Sequence, residues 1–147
     1  MANKPTYEEL EQRIQELEKS FLEEEIENIF RLSPDLIGYG NLEGSFSKVN
    51  PSFAKKLGYS ENEFYQKQFL SFLHEDDVKK TKKALLNAQN GIKSIYIENR
   101  YMCKDCSYKW IDWHVQSSVH KSTFLAIGRD ITERKQAEEA LRESEEK

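Results

Sequence analysis

NRYMCKDCSYKWIDW (Asn99–Trp113) reads as two alternating runs around a short polar turn, and its register governs the reading of the rest of the chain. Successive side chains of a strand point to opposite faces, so a slip of one residue would move a whole apolar set from core to solvent. With the flanks included (roughly 92–102 and 108–119), Ile95, Ile97 and Tyr101 share one face of the first run. Ile111, Trp113 and Val115 share one face of the second. A loop of Lys104, Asp105 and Cys106 sets Ile97 opposite Trp113 and Ile95 opposite Val115, whereas a loop one residue shorter would set Glu98 opposite Trp113. The longer loop is therefore expected. Its third residue normally has positive φ and is usually Gly; Cys106 there costs about 1 kcal/mol relative to Gly.

Working outward, residues 124–129 supply a further strand. Upstream, Asp76 and Asp77 stand in the first turn of a helix over about 75–90, where the helix dipole favours acids, and Asn90-Gly91 closes it. Ser60 and Glu63 have capping-box spacing and open a short helix carrying Phe64 and Tyr65. Asn50-Pro51 opens another, with Asn as cap and Pro in the first turn; Gly58 ends it. Leu36–Tyr39 and Ser45–Val49 are short strands joined by the Asn41–Gly44 turn. Five antiparallel strands with helices grouped on one face make an α+β domain.

At the N-terminus, Thr6 and Glu9 form a capping box for a helix over 6–30. Tyr7, Leu10, Ile14, Leu17 and Phe21 then recur at spacings of 3 and 4. Ile at a with Leu at d favours parallel two-stranded coils. Beyond Phe21 the stripe shifts to Leu22, Ile26, Ile29 and Phe30, read as a change from partner pairing to packing on the domain. Residues 130–147 are helical again, with Asp130 and Glu133 at capping spacing, and end on charged residues as a cut or short free end. The expected organisation is a dimerising helix over 1–24, a core over 25–130 and an exit helix over 131–147.

Of 147 residues, 37% are hydrophobic and 33% charged, which suits one domain with extended, solvated helices. The net charge of −4, without a Lys/Arg cluster, argues against nucleic acid. No apolar run approaches the ~18 residues of a membrane span, and the N-terminus has no apolar signal core. Two cysteines make no disulfide framework, so a reduced, cytoplasmic setting is expected.

Four segments, in order, resemble the PAS family: VNPSFAKKLGYS (Val49–Ser60), FLHEDD (Phe72–Asp77), NRYMCKDCSYKWIDW (Asn99–Trp113) and GRDITERKQAEEAL (Gly128–Leu141). Glu75 stands where the family usually has Pro, and Cys106 where it usually has Gly. The leading KPTYEELEQRIQELEK is similar to leaders found before PAS domains in multidomain sensors. The resemblance implies a non-enzymatic sensory module, which detects a small molecule or another signal or simply dimerises. It would act as a homodimer through the N-terminal helix and pass its state through flanking helices to an output domain or partner kinase, such as a histidine kinase or diguanylate cyclase. No phospho-acceptor helix, nucleotide-binding motif or cyclase signature is legible here.

The resemblance makes Asp130, Ile131 and Thr132 the expected signal relay; an ordinary helix cap is the plainer account of Asp130. Phe53, Leu57, Phe64, Phe69, Phe72, Leu85, Ile97, Trp113 and Ile127 are expected between sheet and helices, lining a ligand pocket or simply filling a core. Arg100 would anchor an acidic ligand if it pointed inward. Haem needs an axial ligand, usually His. His74 lies at the mouth of the long helix and residues 78–90 hold no His, while His114 and His120 lie elsewhere. Residues 50–75 hold no Cys for LOV-type flavin chemistry. Any cofactor is thus unidentified, with haem and that flavin chemistry disfavoured. Cys103 and Cys106 have the spacing of a redox pair or zinc knuckle, but no second pair completes a zinc site. They are incidental hairpin residues or a redox sensor.

Overall fold

The computed structural model describes residues 3–146. The chain falls into two compact units, one through Leu32 and one from Ser33. The first is the helix α1 (Tyr7–Leu32), which continues past residue 24 without a break. Its capping box forms as the sequence dictates: the Thr6 hydroxyl accepts from Glu9 N–H at 3.1 Å, and the Glu9 carboxylate accepts from Thr6 N–H at 3.3 Å. Tyr7, Leu10, Ile14, Leu17 and Phe21 are all exposed.

In the second unit the strands β1 (Leu36–Asn41), β2 (Ser45–Val49), β3 (Ser94–Met102), β4 (Tyr108–Ser118) and β5 (Thr123–Asp130) form one antiparallel sheet in the order β2-β1-β5-β4-β3. Between β2 and β3 lie α2 (Pro51–Leu57), α3 (Glu61–Gln66), a one-turn 3-10 helix (Phe69–Phe72) and α4 (Glu75–Gln89), and α5 (Thr132–Glu145) follows β5. The last strand therefore sits at the centre of the sheet, and a helix leaves from its end.

The β3–β4 hairpin has the register that the apolar pattern demands: Ile97 faces Trp113 and Ile95 faces Val115. Cys103 N–H donates to Ser107 O at 2.7 Å, which closes the loop of Lys104, Asp105 and Cys106, and Cys106 has φ 69°. A left-handed backbone disfavours any Cβ. Cys106→Gly is therefore expected to raise the unfolding free energy by about 1 kcal/mol, read as a higher urea midpoint with an unchanged slope.

Asn50 departs from expectation. It precedes α2, but its side chain makes no capping bond. It is fully buried and instead spans to the start of β1: Ile37 N–H donates to its Oδ1 at 3.0 Å, and its Nδ2 donates to Asp35 O at 2.9 Å. Ile127 is the second correction. It is 41% exposed on the outer face of the sheet, because β5 turns Phe124, Ala126 and Gly128 inward. A Cβ on Gly128 would come within 2.6 Å of Ile111 and 2.7 Å of the Trp113 ring. The small residues of β5 are inside because only they fit there.

Candidate functional site

Two arrangements in the second unit concentrate functional chemistry, a cavity beneath the sheet and a polar joint at its exit.

The cavity, about 60 Å3, lies between α4 and the inner face of β3, β4 and β5. Thr81, Ala84, Leu85 and Ala88 recur at the spacing of one helix face and form its roof. Two of the four are alanines and Ala126 lies on the sheet side, so short side chains leave the space. Phe69, Leu85, Ile97 and Trp113, all expected from the sequence, line it. Phe53, Leu57, Phe64 and Phe72 do not. They are buried in an aromatic cluster alongside, where the Phe53 ring lies 5.2 Å from Phe64 and Phe64 lies 5.3 Å from Phe72. Ile127 is outside altogether.

Sequence reading passed over the polar part of the wall. Trp113 Nε1 donates to Asn99 Oδ1 at 2.9 Å, Asn99 Nδ2 donates to Thr81 Oγ1 at 3.3 Å, and Thr81 Oγ1 donates to Asp77 O at 2.8 Å. Asn99 is a polar residue between Ile97 and Tyr101 on an otherwise apolar strand face, and that break in pattern was the available signal. Tyr101 also lines the cavity, and burial raises its hydroxyl pKa far above the usual phenol value.

Among the described residues no His or Cys lines the cavity, so this part of the wall offers neither a haem ligand nor a thiol for a flavin adduct. Its volume is also far below the roughly 300–1,000 Å3 of a cofactor-sized pocket. His74 instead caps α4, its Nδ1 accepting from Asp76 N–H at 3.0 Å, and His114 stacks on Tyr96 with ring centres 4.2 Å apart. Arg100 is turned away from the cavity. Its Nε and Nη2 each lie 2.9 Å from an oxygen of Asp77, whose side chain is 3% exposed. Burial alone would raise the Asp77 pKa, but hydrogen bonds from the Arg100 side chain and backbone, with the Lys80 charge, bring it below the ordinary carboxylate value. Cys103 is buried and Cys106 exposed, both free; burial raises the Cys103 thiol pKa, the opposite of a reactive thiolate. Among the described residues no group of three or more His, Cys, Asp or Glu is placed to hold a metal ion, and no helix is long and apolar enough to cross a membrane.

The joint is built on Asp130, the last residue of β5. Its Oδ1 accepts from the Thr132 N–H at 3.0 Å and from the Thr132 hydroxyl at 2.5 Å. The cap position itself is Ile131, 6% exposed, so Asp130 stands one residue before the place its spacing implied. Trp110 of β4 completes the joint: its N–H donates to Thr132 Oγ1 at 3.0 Å, and its carbonyl accepts from Ile131 N–H at 2.9 Å. Lys109 and Lys56 approach Asp130 Oδ2 at 3.6 and 3.9 Å. Partial burial would raise the Asp130 pKa, but the Thr132 bonds and the two lysines lower it. One turn on, Arg134 and Lys135 of α5 reach Glu98 of β3 at 3.2 and 2.8 Å, and Lys135 lies over the Trp110 ring. The first turn of α5 is thus fastened to three strands.

A family model described as "PAS fold" matches residues 46–123. Among solved structures, the PAS domain of an HTR-like protein from Haloarcula marismortui is 27% identical with a TM-score of 0.65, over 82% of this chain and 99% of that one. A domain of a sensory box sensor histidine kinase/response regulator from Geobacter sulfurreducens is 19% identical, TM-score 0.64, over 76% and 96%. A sensory box histidine kinase/response regulator from Burkholderia thailandensis is 22% identical, TM-score 0.64, over 82% and 95%.

Proposed function

The chain belongs to the PAS fold family, and on that premise we propose that it is a sensory signalling module that detects a small intracellular molecule and relays its state through a dimeric helical linker to an output domain. The observation that carries the reading is the joint at Asp130, Ile131 and Thr132. Asp130 ends the central strand whose inner face borders the cavity, and it holds the first N–H of α5. A shift of the sheet therefore re-aims the helix. A ligand moves such a balance only by its differential affinity for the two states. The histidine-kinase neighbours support an output of that kind.

Asp130→Ala is expected to leave the sheet folded while amide exchange of residues 132–141 speeds up about fivefold, the equivalent of losing capping bonds worth about 1 kcal/mol. Unchanged exchange there would remove the relay. The pH dependence has a defined sign. The folded pKa of Asp130 is depressed, so its contribution is present above the unfolded value of about 3.9. It is lost as pH falls through the lower folded value.

The dimeric part rests on α1. Tyr7, Leu10, Ile14, Leu17 and Phe21, each 44–79% exposed, leave a heptad stripe open to water, as a partner helix would require. Leu10→Asp combined with Leu17→Asp is expected to shift the chain to monomer in sedimentation while near-UV dichroism of the second unit stays unchanged. A parent that is itself monomeric in the same experiment removes the coil assignment. A second reading, a dimerisation module whose core takes no ligand, is favoured by the small cavity. Its signature is a melting temperature that no metabolite shifts.

A further inference from the structure

We infer that the cavity accepts a small neutral carbonyl compound, of the ketone or amide class, held through its oxygen by Tyr101 and Asn99, and that it rejects anions of the same size. The inference rests on the sensory reading above and gives its ligand a chemical class.

Three observations carry it. The first is an incomplete set of donors. Tyr101 is 2% exposed and lines the cavity, yet its hydroxyl makes no hydrogen bond to the described residues. Every fully occluded side-chain nitrogen or oxygen among those residues has a partner, so this oxygen borders open space. Asn99 gives one Nδ2 hydrogen to Thr81 and keeps the other, while its Oδ1 is taken by Trp113. A donor that faces the cavity without a protein partner is available to an incoming acceptor.

The second observation is the absence of charge. Among the described residues no Lys, Arg, His, Asp or Glu lines the cavity, and Arg100, the cation nearest in sequence, is locked on Asp77. An anion would enter without a counter-charge, at a desolvation cost that neutral donors do not offset. The third is size. A volume of about 60 Å3 holds about two to four water-sized groups. The remaining wall is hydrocarbon and aromatic, which suits the alkyl part of such a molecule.

Acetone, acetate and dissolved isobutene have the same heavy-atom skeleton and differ in charge and acceptor, so titrating the full chain with each tests the inference. The readouts are the NMR signals of the Trp113 indole N–H and the Asn99 side-chain amide. Acetone is expected to saturate with a Kd on the order of 10 mM, as befits so few atoms. Isobutene, which offers no acceptor, reports the hydrocarbon wall alone, and acetate is expected to give no saturable shift. Tyr101→Phe should weaken acetone about tenfold and leave isobutene unchanged. Ala84→Phe, which fills the roof, should abolish both, and it keeps the test decisive if Tyr101→Phe does not fold. Acetate binding as well as acetone, acetone shifts that survive Ala84→Phe, or no saturable shift with any compound (a cavity holding water only) each overturn the inference. The Asp130→Ala exchange experiment uses no ligand. Failure here with loosened α5 there rejects the ligand class and leaves the relay standing.

Discussion

Arg100→Met is expected to lower the unfolding free energy by about 3–5 kcal/mol at neutral pH, with the loss shrinking as pH falls. The Asp77 carboxylate, 3% exposed, accepts from Nε and Nη2 of Arg100 at 2.9 Å and from the Arg100 backbone N–H at 2.7 Å. Truncation leaves that backbone bond and Lys80 at 3.6 Å, so the carboxylate stays buried with one exposed cation. The cost of an unmatched buried charge exceeds what the intact pair gained over water. In the parent, the depressed folded pKa of Asp77 contributes stability above about pH 3.9 that disappears as pH falls through the folded value. In the variant the sign reverses. Burial dominates, the folded carboxyl binds its proton more readily than the unfolded one, and stability rises as pH falls toward the unfolded pKa. Urea unfolding at pH 7 and near pH 4 separates the two cases: a difference between parent and variant that is the same at both values contradicts the electrostatic account. Arg100→Lys keeps a charge but not the two-pronged geometry, and should fall between them. Because Arg100 also lies 4.7 Å over the Trp110 ring, the variant should in addition loosen the first turn of α5.

Much of this fold is legible in the sequence wherever local chemistry decides the outcome. Thr6 with Glu9 bonds as a capping box, the Ser60 hydroxyl caps its helix by accepting from Glu63 N–H, and Gly58 ends α2 at φ 87°. One polar mismatch, Glu98 against Trp113, was enough to select the hairpin register. Reading fails where the partner lies far along the chain. Asn50 looks like a cap because Asn-Pro is a local statistic, yet the bonds that fix its side chain reach 13 and 15 residues back to Ile37 and Asp35. Ile127 lies on the outer face against expectation because β5 carries apolar residues on both faces, and the inner face is decided by the tight approach of Ile111 and Trp113 to Gly128. The relay residues were named from resemblance. What the sequence omitted was their attachment: Thr132 is held by Trp110, 22 residues earlier, across a pairing that periodicity does not encode. The cavity is harder still, since its volume is the small remainder after many side chains have packed, and alternation of polar and apolar residues carries no such sum.

Phe53→Ala is expected to be the most damaging truncation in the core, at about 3–5 kcal/mol, and it also separates the two roles the sequence left open. Phe53 is 0% exposed, and its ring meets those of Phe46, Phe64 and Trp113 at 5.3, 5.2 and 6.1 Å. A side chain lining a ligand cavity already lacks neighbours on one side, so truncating it forfeits fewer contacts and enlarges an existing space. A side chain packed on all sides leaves a new void, and the penalty grows with the volume that neighbours fail to refill. Here the neighbours are rigid rings with few rotamers, so little refilling is expected. Leu85→Ala provides the contrast, because Leu85 is half-buried and borders the cavity. It should cost no more than about 2 kcal/mol, the low end of such truncations. Chemical denaturation of the two variants beside the parent decides the matter. A Phe53→Ala loss no larger than that of Leu85→Ala would mean that the cavity extends to Phe53 and that the aromatic cluster is part of the ligand site.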